Sequence, residues 1–260
     1  MEYEFIRRER EGPVTVITLN RPEAMNALSN PMHWELHEAF EDFATDPDQW
    51  VAIVTGAGDR AFCAGSDLKG IAAGSLKKPM PPSGYAGLVD RFDLDKPVIA
   101  AVNGVAAGGG FELALACDVI VAVESARFGL PEPRVGLAAG GGGLHNLPRQ
   151  IPVKLAMGMI LTGRLVSAKE GATYGFVNEL TSAADLLATA RRWAAQICEC
   201  SPLAVRASKQ VAMRSLEMPL QEALHQQSAF PAMAAMNASE DAVEGPLAFS
   251  EKRPPRWKGR

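Results

Sequence analysis

The first half of the chain carries short apolar, β-branched runs separated by turns rich in glycine and proline. These runs predict strands at residues 14–20, 51–55, 97–102 and 119–123. The central runs are apolar at consecutive positions rather than at alternate ones, so we expect both faces of the sheet to be covered. The pattern therefore predicts an α/β architecture.

Helical patterns separate and follow these strands. Asn30-Pro31 is expected to open a helix that runs to about Thr45, with Asn30 as its cap and Pro31 in its first turn. Residues 70–85 are rich in Gly, Pro, Lys and Ser, and we expect either a mobile lid or a surface excursion there. Apolar residues then recur at helical spacing over residues 153–162, 183–199, 203–217 and 219–236.

Composition and charge narrow the class of protein. A chain of 260 residues with 47% apolar residues supports one large domain, or one domain with an appendage. The net charge of −4 without a basic stripe gives no reason to expect nucleic acid or anionic membrane as a partner. No apolar run reaches the roughly 18 residues of a membrane span. Four cysteines in a chain this long fit a reducing cytoplasm better than a disulfide framework.

A glycine-rich segment at residues 103–113 carries the first candidate chemistry. A strand is expected to end there and a helix to begin near Gly108 or Gly109, which leaves main-chain N–H groups without internal partners. Glu112 follows Gly109 by three residues, so a hydrogen-bond donor and a carboxylate can face one cavity. The spacing matches neither the dinucleotide nor the P-loop pattern. The alternative is a tight strand–helix junction with an exposed glutamate.

Two further segments extend this candidate site. Residues 61–68 form an apolar approach and a turn into a helix expected at Asp67, and the N–H of Ser66 can supply a second donor. Two donors on one oxygen make an oxyanion hole. Glu132 follows Pro131 in a rigid turn, and the glycines at 140–143 let another group pass close to the backbone. Taken alone, Glu132 is more typical of a surface residue.

The metal and nucleophile patterns are weak. His33 and His37 have the i, i+4 spacing of a zinc pair, but Glu35 is displaced by one residue from the H-E-x-x-H arrangement and no third ligand is evident. Cys198 and Cys200 are interpreted as buried thiols on a helix. No G-x-S-x-G segment occurs. We therefore predict no metal site and no serine nucleophile of the α/β-hydrolase kind.

Several segments of the chain form a set in a fixed order. They are Asn20-Arg21-Pro22 with Asn26-Ala27-Leu28, Ala64-Gly65-Ser66-Asp67-Leu68, Asn103-Gly104 with Gly108-Gly109-Gly110, and Pro131-Glu132 with Gly136. This set resembles the crotonase (enoyl-CoA hydratase/isomerase) family over essentially the whole chain. The resemblance implies a spiral of ββα units with the active site in residues 1–200. It also implies a helical C-terminal region, residues 201–260, that builds homotrimers, commonly paired into hexamers.

The resemblance further implies an acyl-CoA thioester as substrate, with coenzyme A as part of the substrate and no separate cofactor. The oxyanion-hole positions of the family fall on the N–H groups of Ser66 and Gly109. Its two hydratase acids fall on Glu112, taken as the base, and Glu132, taken as the acid, although these roles could be shared or reversed. The positions implied for coenzyme A are Ala24, Asn26, Ala27, Ala64, Asp67, Leu68 and Lys69, with Phe249 and Lys252 from a neighbouring subunit.

Alternatives to hydration remain open at this point. They are a double-bond isomerase, a lyase of the same family with a specialised acyl group, and a non-catalytic scaffold or RNA-binding relative. The presence of both glutamates argues against an isomerase. Ala139 and Asn146 depart from the family pattern, so the acyl group is not fixed. A quaternary ammonium acyl group would favour an aromatic cage, for which Tyr85 and Phe111 are possible walls.

Overall fold

The computed structural model describes residues 3–72, 74 and 79–260, and within them the chain forms two sheets. The six strands of the first sheet are, in spatial order, β1 (Ile6–Glu11), β2 (Val14–Leu19), β3 (Val51–Gly56), β5 (Val98–Val102), β7 (Val119–Val123) and β10 (Glu179–Thr181). The four strands of the second sheet are β4 (Ala61–Cys63), β6 (Val105–Ala107), β8 (Arg127–Gly129) and β9 (Val166–Ser167). Only the β1–β2 and β8–β9 pairs within these sheets are antiparallel. The predicted α/β class is confirmed.

The four predicted strands are present as β2, β3, β5 and β7. Every residue of β3 and β5 is buried, as expected for central parallel strands that are covered on both faces. The edge strand β1 was not predicted, because its sequence, Ile-Arg-Arg-Glu-Arg-Glu, is mostly charged. Charged side chains are common on edge strands, where they discourage pairing with another chain. A polar edge strand therefore gives little signal in the pattern of apolar residues.

Eleven helices lie within the described residues. They are α1 (Asn30–Thr45), α2 (Leu68–Ala72), α3 (Gly109–Ala116), α4 (Gly143–Gln150), α5 (Val153–Thr162), α6 (Ala168–Tyr174), α7 (Leu186–Cys198), α8 (Pro202–Ser215), α9 (Leu220–Gln226), α10 (Pro231–Asn237) and α11 (Glu240–Ser250). Short 3-10 turns span Pro22–Ala24, Tyr85–Gly87, Glu132–Val135 and Gln227–Ala229. Helix α7 packs against the central strands β3, β5 and β7.

Two of the helix predictions were wrong in detail. Helix α1 is capped by Ser29, which is extended, whereas the predicted cap Asn30 lies inside the helix and its side chain donates to Pro79 O. The helix predicted over residues 219–236 is two helices, α9 and α10. Phe230 adopts the extended conformation that proline favours in the residue before it, and the helix is broken there, before Pro231.

The second sheet determines where the candidate site forms. Its strands β4, β6 and β8 are adjacent and parallel, with Cys63 beside Ala106 and Ala107 beside Gly129. The carboxyl ends of adjacent parallel strands lie at the same edge of a sheet. The three segments that follow these strands begin with Ala64, Gly108 and Leu130. They lead to Ser66, Gly109 and Glu132, so the fold brings distant parts of the sequence to one edge.

The remaining predictions about organisation have mixed outcomes. Residues 70–85, predicted as a lid or surface excursion, lie partly outside the described residues. The described part contains the end of α2 and the turn at Tyr85–Gly87. No helix in the described part of the chain is both long and apolar enough to cross a membrane. The division at residue 200 and the cytoplasmic location stay predictions.

Candidate active site

The two predicted oxyanion-hole residues lie on neighbouring segments. A Cβ atom on Gly65 would lie 3.2 Å from Gly109 N and 2.8 Å from Ala107 O, so the turn that carries Ser66 contacts the start of α3. Gly109 is the first residue of α3, and its N–H has no acceptor within the helix. The N–H of Ser66 makes no hydrogen bond within the described residues. Two main-chain donors on segments that contact each other therefore have no hydrogen-bond partner within the described residues.

Glu112 lies in the first turn of α3 and is 2% exposed. Its Oε1 accepts a hydrogen bond of 2.9 Å from Gly143 N. A Cβ atom on Gly141 would lie 2.7 Å from Oε2, and one on Gly143 would lie 3.0 Å from Oε1. The backbone of this glycine run therefore passes directly beside the carboxyl group, at distances that a larger residue would prevent.

Glu132 approaches the same helix start from the third segment. It opens the 3-10 turn Glu132–Val135 after Pro131 and is partly buried. A Cβ atom on Gly108 would lie 2.6 Å from Glu132 Oε1. The other oxygen, Oε2, is buried and has no hydrogen-bond partner among the described residues. Most buried carboxyl oxygens are hydrogen-bonded, so this one is suited to a ligand or a reacting water.

The environment raises the pKa of both carboxyl groups. Burial raises the pKa of Glu112 to about 7; the N–H of Gly143 opposes this shift, and the nearby charge of Glu132 adds to it. Burial also raises the pKa of Glu132. The alternative interpretations, an exposed glutamate at a strand–helix junction and a surface glutamate after Pro131, do not fit these positions. Carboxyl groups with raised pKa values are suited to acid–base chemistry.

The segments predicted to hold coenzyme A also lie side by side. Ala64 N donates to Met25 O (3.0 Å), Leu28 N to Gly65 O (2.8 Å) and Asp67 N to Leu28 O (2.9 Å). These bonds join the turn that contains Ala24, Asn26 and Ala27 to the turn that contains Ala64, Asp67 and Leu68. An ion pair of 3.3 Å between Arg21 and Asp67 links the same two turns.

The predicted coenzyme A residues differ in what they can offer a ligand. The side chain of Asn26 hydrogen-bonds to Arg21 N, Ala57 O and Ala61 O, and its N–H donates to Arg21 O. The whole residue is buried, so its observed role is to maintain the turn. Lys69 is exposed on α2. Phe249, 87% exposed, lies at the end of α11, and Lys252 follows it. Their approach to a site requires a neighbouring subunit and stays a prediction.

The two aromatic residues considered as walls behave differently. Phe111 packs in the core against Phe128 and Phe176, with ring centroids 5.5 and 5.1 Å away, so it is not a wall of the site. Consecutive helical residues point about 100° apart, which directs Phe111 away from the side that Glu112 occupies. Tyr85 does reach the site, where its hydroxyl lies 2.6 Å from Ser66 Oγ.

The histidine pair of α1 holds the turn that carries Tyr85. Ala86 N donates to His33 Nδ1 (2.9 Å), and His37 Nδ1 lies 2.9 Å from Ser83 Oγ. The i, i+4 spacing thus places both histidines against the same turn of the chain, residues 83–86. The role of His33 was not predicted, and its helical spacing was the only signal in the sequence.

The whole chain, apart from its first eight residues, matches the family model described as enoyl-CoA hydratase/isomerase, over residues 9–260. The chain belongs to the crotonase family. Among curated relatives, the carnitinyl-CoA dehydratases of Salmonella typhi and Salmonella agona (strain SL483) are each 45% identical to it over 260 residues, with 99% of each chain covered. The predicted family and the predicted enzyme class, a hydro-lyase, are confirmed.

Solved structures of crotonase-family members share the fold. The enoyl-CoA hydratase from Mycobacterium tuberculosis H37Rv aligns with a TM-score of 0.92 and 39% identity, covering 98% of this chain and 99% of that one. A probable enoyl-CoA hydratase/isomerase from Mycobacterium abscessus aligns with a TM-score of 0.91 and 41% identity over the full length of both chains. The similarity therefore extends over the core and the C-terminal helices alike.

The raised pKa of Glu112 predicts a pH-dependent difference in stability between the protein and its Glu112→Gln variant. A carboxyl whose pKa rises from 4.5 unfolded to about 7 folded stabilises the fold below pH 4.5, and this contribution is lost as pH rises through 7. Relative to the non-titrating variant, the protein should therefore lose about 2–3 kcal/mol of unfolding free energy between pH 5 and 8.

Denaturant unfolding at a fixed protein concentration measures this difference. The exposed Glu124→Gln variant is the matched control and should follow the unmodified protein at every pH. A difference between the protein and Glu112→Gln that stays constant with pH would show that Glu112 is not destabilised as an anion in the folded state.

Proposed function

We propose that the protein adds water reversibly across the α,β double bond of an enoyl-CoA thioester, with Glu112 as base and Glu132 as acid. The observation that carries this proposal is the convergence of both carboxyls on the segment from Gly108 to Glu112. Glu112 belongs to that segment, and Glu132 Oε1 contacts Gly108. The two free N–H donors lie on the same segment and on the turn that touches it.

Each group has a defined task in the proposed reaction. The thioester oxygen accepts hydrogen bonds from Ser66 N and Gly109 N, which draws electrons from the double bond and makes the β-carbon electrophilic. Glu112 removes a proton from water while the water oxygen bonds to the β-carbon. Glu132 delivers its proton to the α-carbon, where the electrons of the double bond have moved. Reversal of the same steps eliminates water.

The raised pKa values suit acid–base chemistry at both carboxyls, and the assignment of base and acid follows the family resemblance. A base works best when its pKa lies near the working pH, and that of Glu112 is about 7. An acid must keep its proton, and burial raises the pKa of Glu132. Two carboxylates in one dry site also repel each other, so one proton is favoured between them. This pair needs no separate cofactor, because coenzyme A arrives as part of the substrate.

We also propose the family assembly, a homotrimer that can pair into a hexamer. Apolar residues that a monomer would leave in contact with water support this proposal. They lie on the C-terminal helices and their connections and are Met213, Leu216, Leu220, Leu224, Val243, Leu247 and Phe249. Association of subunits would cover such residues. It would also allow Phe249 and Lys252 of one subunit to reach the coenzyme A bound by another.

An aliphatic cavity, lined in part by residues close in sequence to Glu132 and Gly143, suggests the class of acyl group. Its volume is about 210 Å³, and its walls are Leu130, Pro133, Leu137, Ala138, Ala139, Leu144, Ile160 and Leu161. Among these walls, Pro133 follows Glu132 directly, and Leu130 precedes it by two residues. Leu144 follows Gly143, whose N–H donates to Glu112. A cavity with only aliphatic walls favours an uncharged aliphatic acyl group.

The name of the curated relatives supplies the second candidate, a carnitinyl-CoA dehydratase. The 45% identity over 260 residues supports this second candidate. A quaternary ammonium group is best held by aromatic or acidic side chains, and the cavity described above has neither. We therefore propose an enoyl-CoA with an uncharged acyl group as the first candidate substrate, and one with an ammonium-bearing acyl group as the second.

Substitution of the glutamates tests the reaction directly. Glu112→Gln and Glu132→Gln should each lower kcat for hydration by about 10²–10⁴-fold, because each removes one acid–base group and preserves the shape of the site. Circular dichroism should show that both variants fold, and Glu124→Gln should retain full activity. Hydroxyacyl-CoA is the expected product. Near-normal turnover in both variants, or a shifted double bond without added oxygen, would refute the hydratase proposal.

A substrate series tests the acyl class. We expect kcat/KM for crotonyl-CoA and short branched enoyl-CoA substrates to exceed that for crotonobetainyl-CoA by at least about tenfold, since burying an unpaired charge among aliphatic groups is unfavourable. Leu144→Phe should narrow the cavity and reduce kcat/KM for hexenoyl-CoA more than for crotonyl-CoA. A preference for crotonobetainyl-CoA would select the dehydratase alternative instead.

A further inference from the structure

Tyr85 occupies a position next to both oxyanion-hole residues. Its hydroxyl oxygen lies 2.6 Å from Ser66 Oγ, and a Cβ atom on Gly109 would lie only 2.1 Å from the same oxygen. At the other end of the ring, a Cβ atom on Gly141 would lie 2.8 Å from Tyr85 Cγ. The ring therefore lies between the glycine run and the start of α3, with its hydroxyl end toward Ser66 and Gly109.

The backbone around Tyr85 is held in an unusual conformation. Ala86 has a φ of 54°, a left-handed value that residues other than glycine rarely adopt, and it lies between Gly84 (φ 73°) and Gly87 (φ 68°). The N–H of Ala86 donates to His33 Nδ1. The His33 ring also packs against the Tyr85 ring, with centroids 4.6 Å apart. A strained turn that is braced in this way fixes the direction of the side chain.

The protonation states are consistent with this arrangement. His33 Nδ1 can accept a hydrogen bond only when the ring is neutral, and burial lowers the pKa of His33 to about 4. Burial raises the pKa of Tyr85 well above its usual range, and the charges of Glu112 and Glu132 act in the same direction. Tyr85 is therefore a neutral phenol with a proton to donate.

We propose that Tyr85 is a further catalytic residue whose hydroxyl donates a third hydrogen bond to the thioester oxygen held by Ser66 N and Gly109 N. The inference rests on the proposed function for the identity of that oxygen. In this arrangement Ser66 Oγ–H donates to the Tyr85 oxygen, which leaves the phenol proton for the substrate. The Ser66–Tyr85 contact is the only hydrogen bond of either side-chain hydroxyl within the described residues. His33 is a positioning residue, because it acts through the turn and not on the substrate.

A third donor has a specific chemical consequence. Negative charge develops on the thioester oxygen as the nucleophile adds, and a donor that is already oriented stabilises that charge without reorganisation. A neutral phenol also adds no anion beside the two carboxyl groups. The contribution of Tyr85 should therefore appear in kcat, and in the polarisation of the bound carbonyl, more than in the affinity for coenzyme A.

Tyr85→Phe tests the proposal because it removes one oxygen and keeps the ring. We expect kcat for hydration to fall about 10²-fold, as for loss of one oxyanion-hole donor, with KM changed less than about threefold. In Tyr85→Phe, infrared difference spectroscopy of bound butyryl-CoA with a ¹³C-labelled carbonyl should show a C=O stretching frequency closer to its value in water than in the unmodified protein. Tyr174→Phe is the matched control. Its hydroxyl binds Arg164, it lies on α6, and it should change neither quantity.

A second substitution distinguishes loss of the Tyr85 hydroxyl from a folding defect. Fluorinated tyrosine at position 85 keeps the hydroxyl and makes it a stronger donor, so the carbonyl frequency should move further from its value in water. An unchanged frequency and kcat in Tyr85→Phe, an increased kcat, or no response to fluorination would overturn the proposal. Butyryl-CoA is saturated and cannot be hydrated, so the spectral result stays informative even if the two glutamate variants refute the hydratase proposal.

Discussion

The candidate site depends on the close approach of main chain to carboxyl groups that are removed from water. An ionised carboxyl is costly to bury unless polar groups surround it. Here the backbone at Gly141 and Gly143 lies against the carboxyl group of Glu112. Gly108 has no side chain, which leaves room for Glu132 beside the start of α3. A side chain at Gly108 or Gly141 would displace a carboxyl oxygen, and one at Gly143 would lie tightly against Glu112. The glycines therefore make it possible for two carboxyls and two main-chain donors to share one small site.

The second sheet brings three separate parts of the sequence together at this site. Because β4, β6 and β8 run parallel and adjacent, the segments that follow them begin at one edge. The Ser66 turn then contacts α3 directly, and hydrogen bonds from Ala64, Leu28 and Asp67 join it to the turn at Ala24–Ala27. The same contacts that maintain the proposed oxyanion-hole residues thus also shape the segment proposed to bind coenzyme A.

Local sequence patterns predicted the parts of the fold that local physics determines. Consecutive apolar residues predicted β3 and β5, and a glycine turn before an apolar helix predicted α3 with Glu112 in its first turn. Features that depend on distant contacts were missed. Strand β1 is charged and is held by pairing with β2, and α9 and α10 separate at Phe230. Tyr85 and His33 meet across 52 residues of sequence, so no periodic pattern could reveal that His33 braces the Tyr85 turn. The exclusion of Phe111 likewise depends on distant contacts, its packing against Phe128 and Phe176.

The proposed reaction requires one thioester oxygen between Ser66 and Gly109 and a water molecule between Glu112 and Glu132. A crystal structure of the protein with a non-reactive acyl-CoA tests it most directly. In that structure the thioester oxygen should accept from both main-chain N–H groups at about 3 Å, with the α- and β-carbons facing the two carboxyls. A thioester bound elsewhere, or carboxyls directed away from the acyl chain, would contradict it.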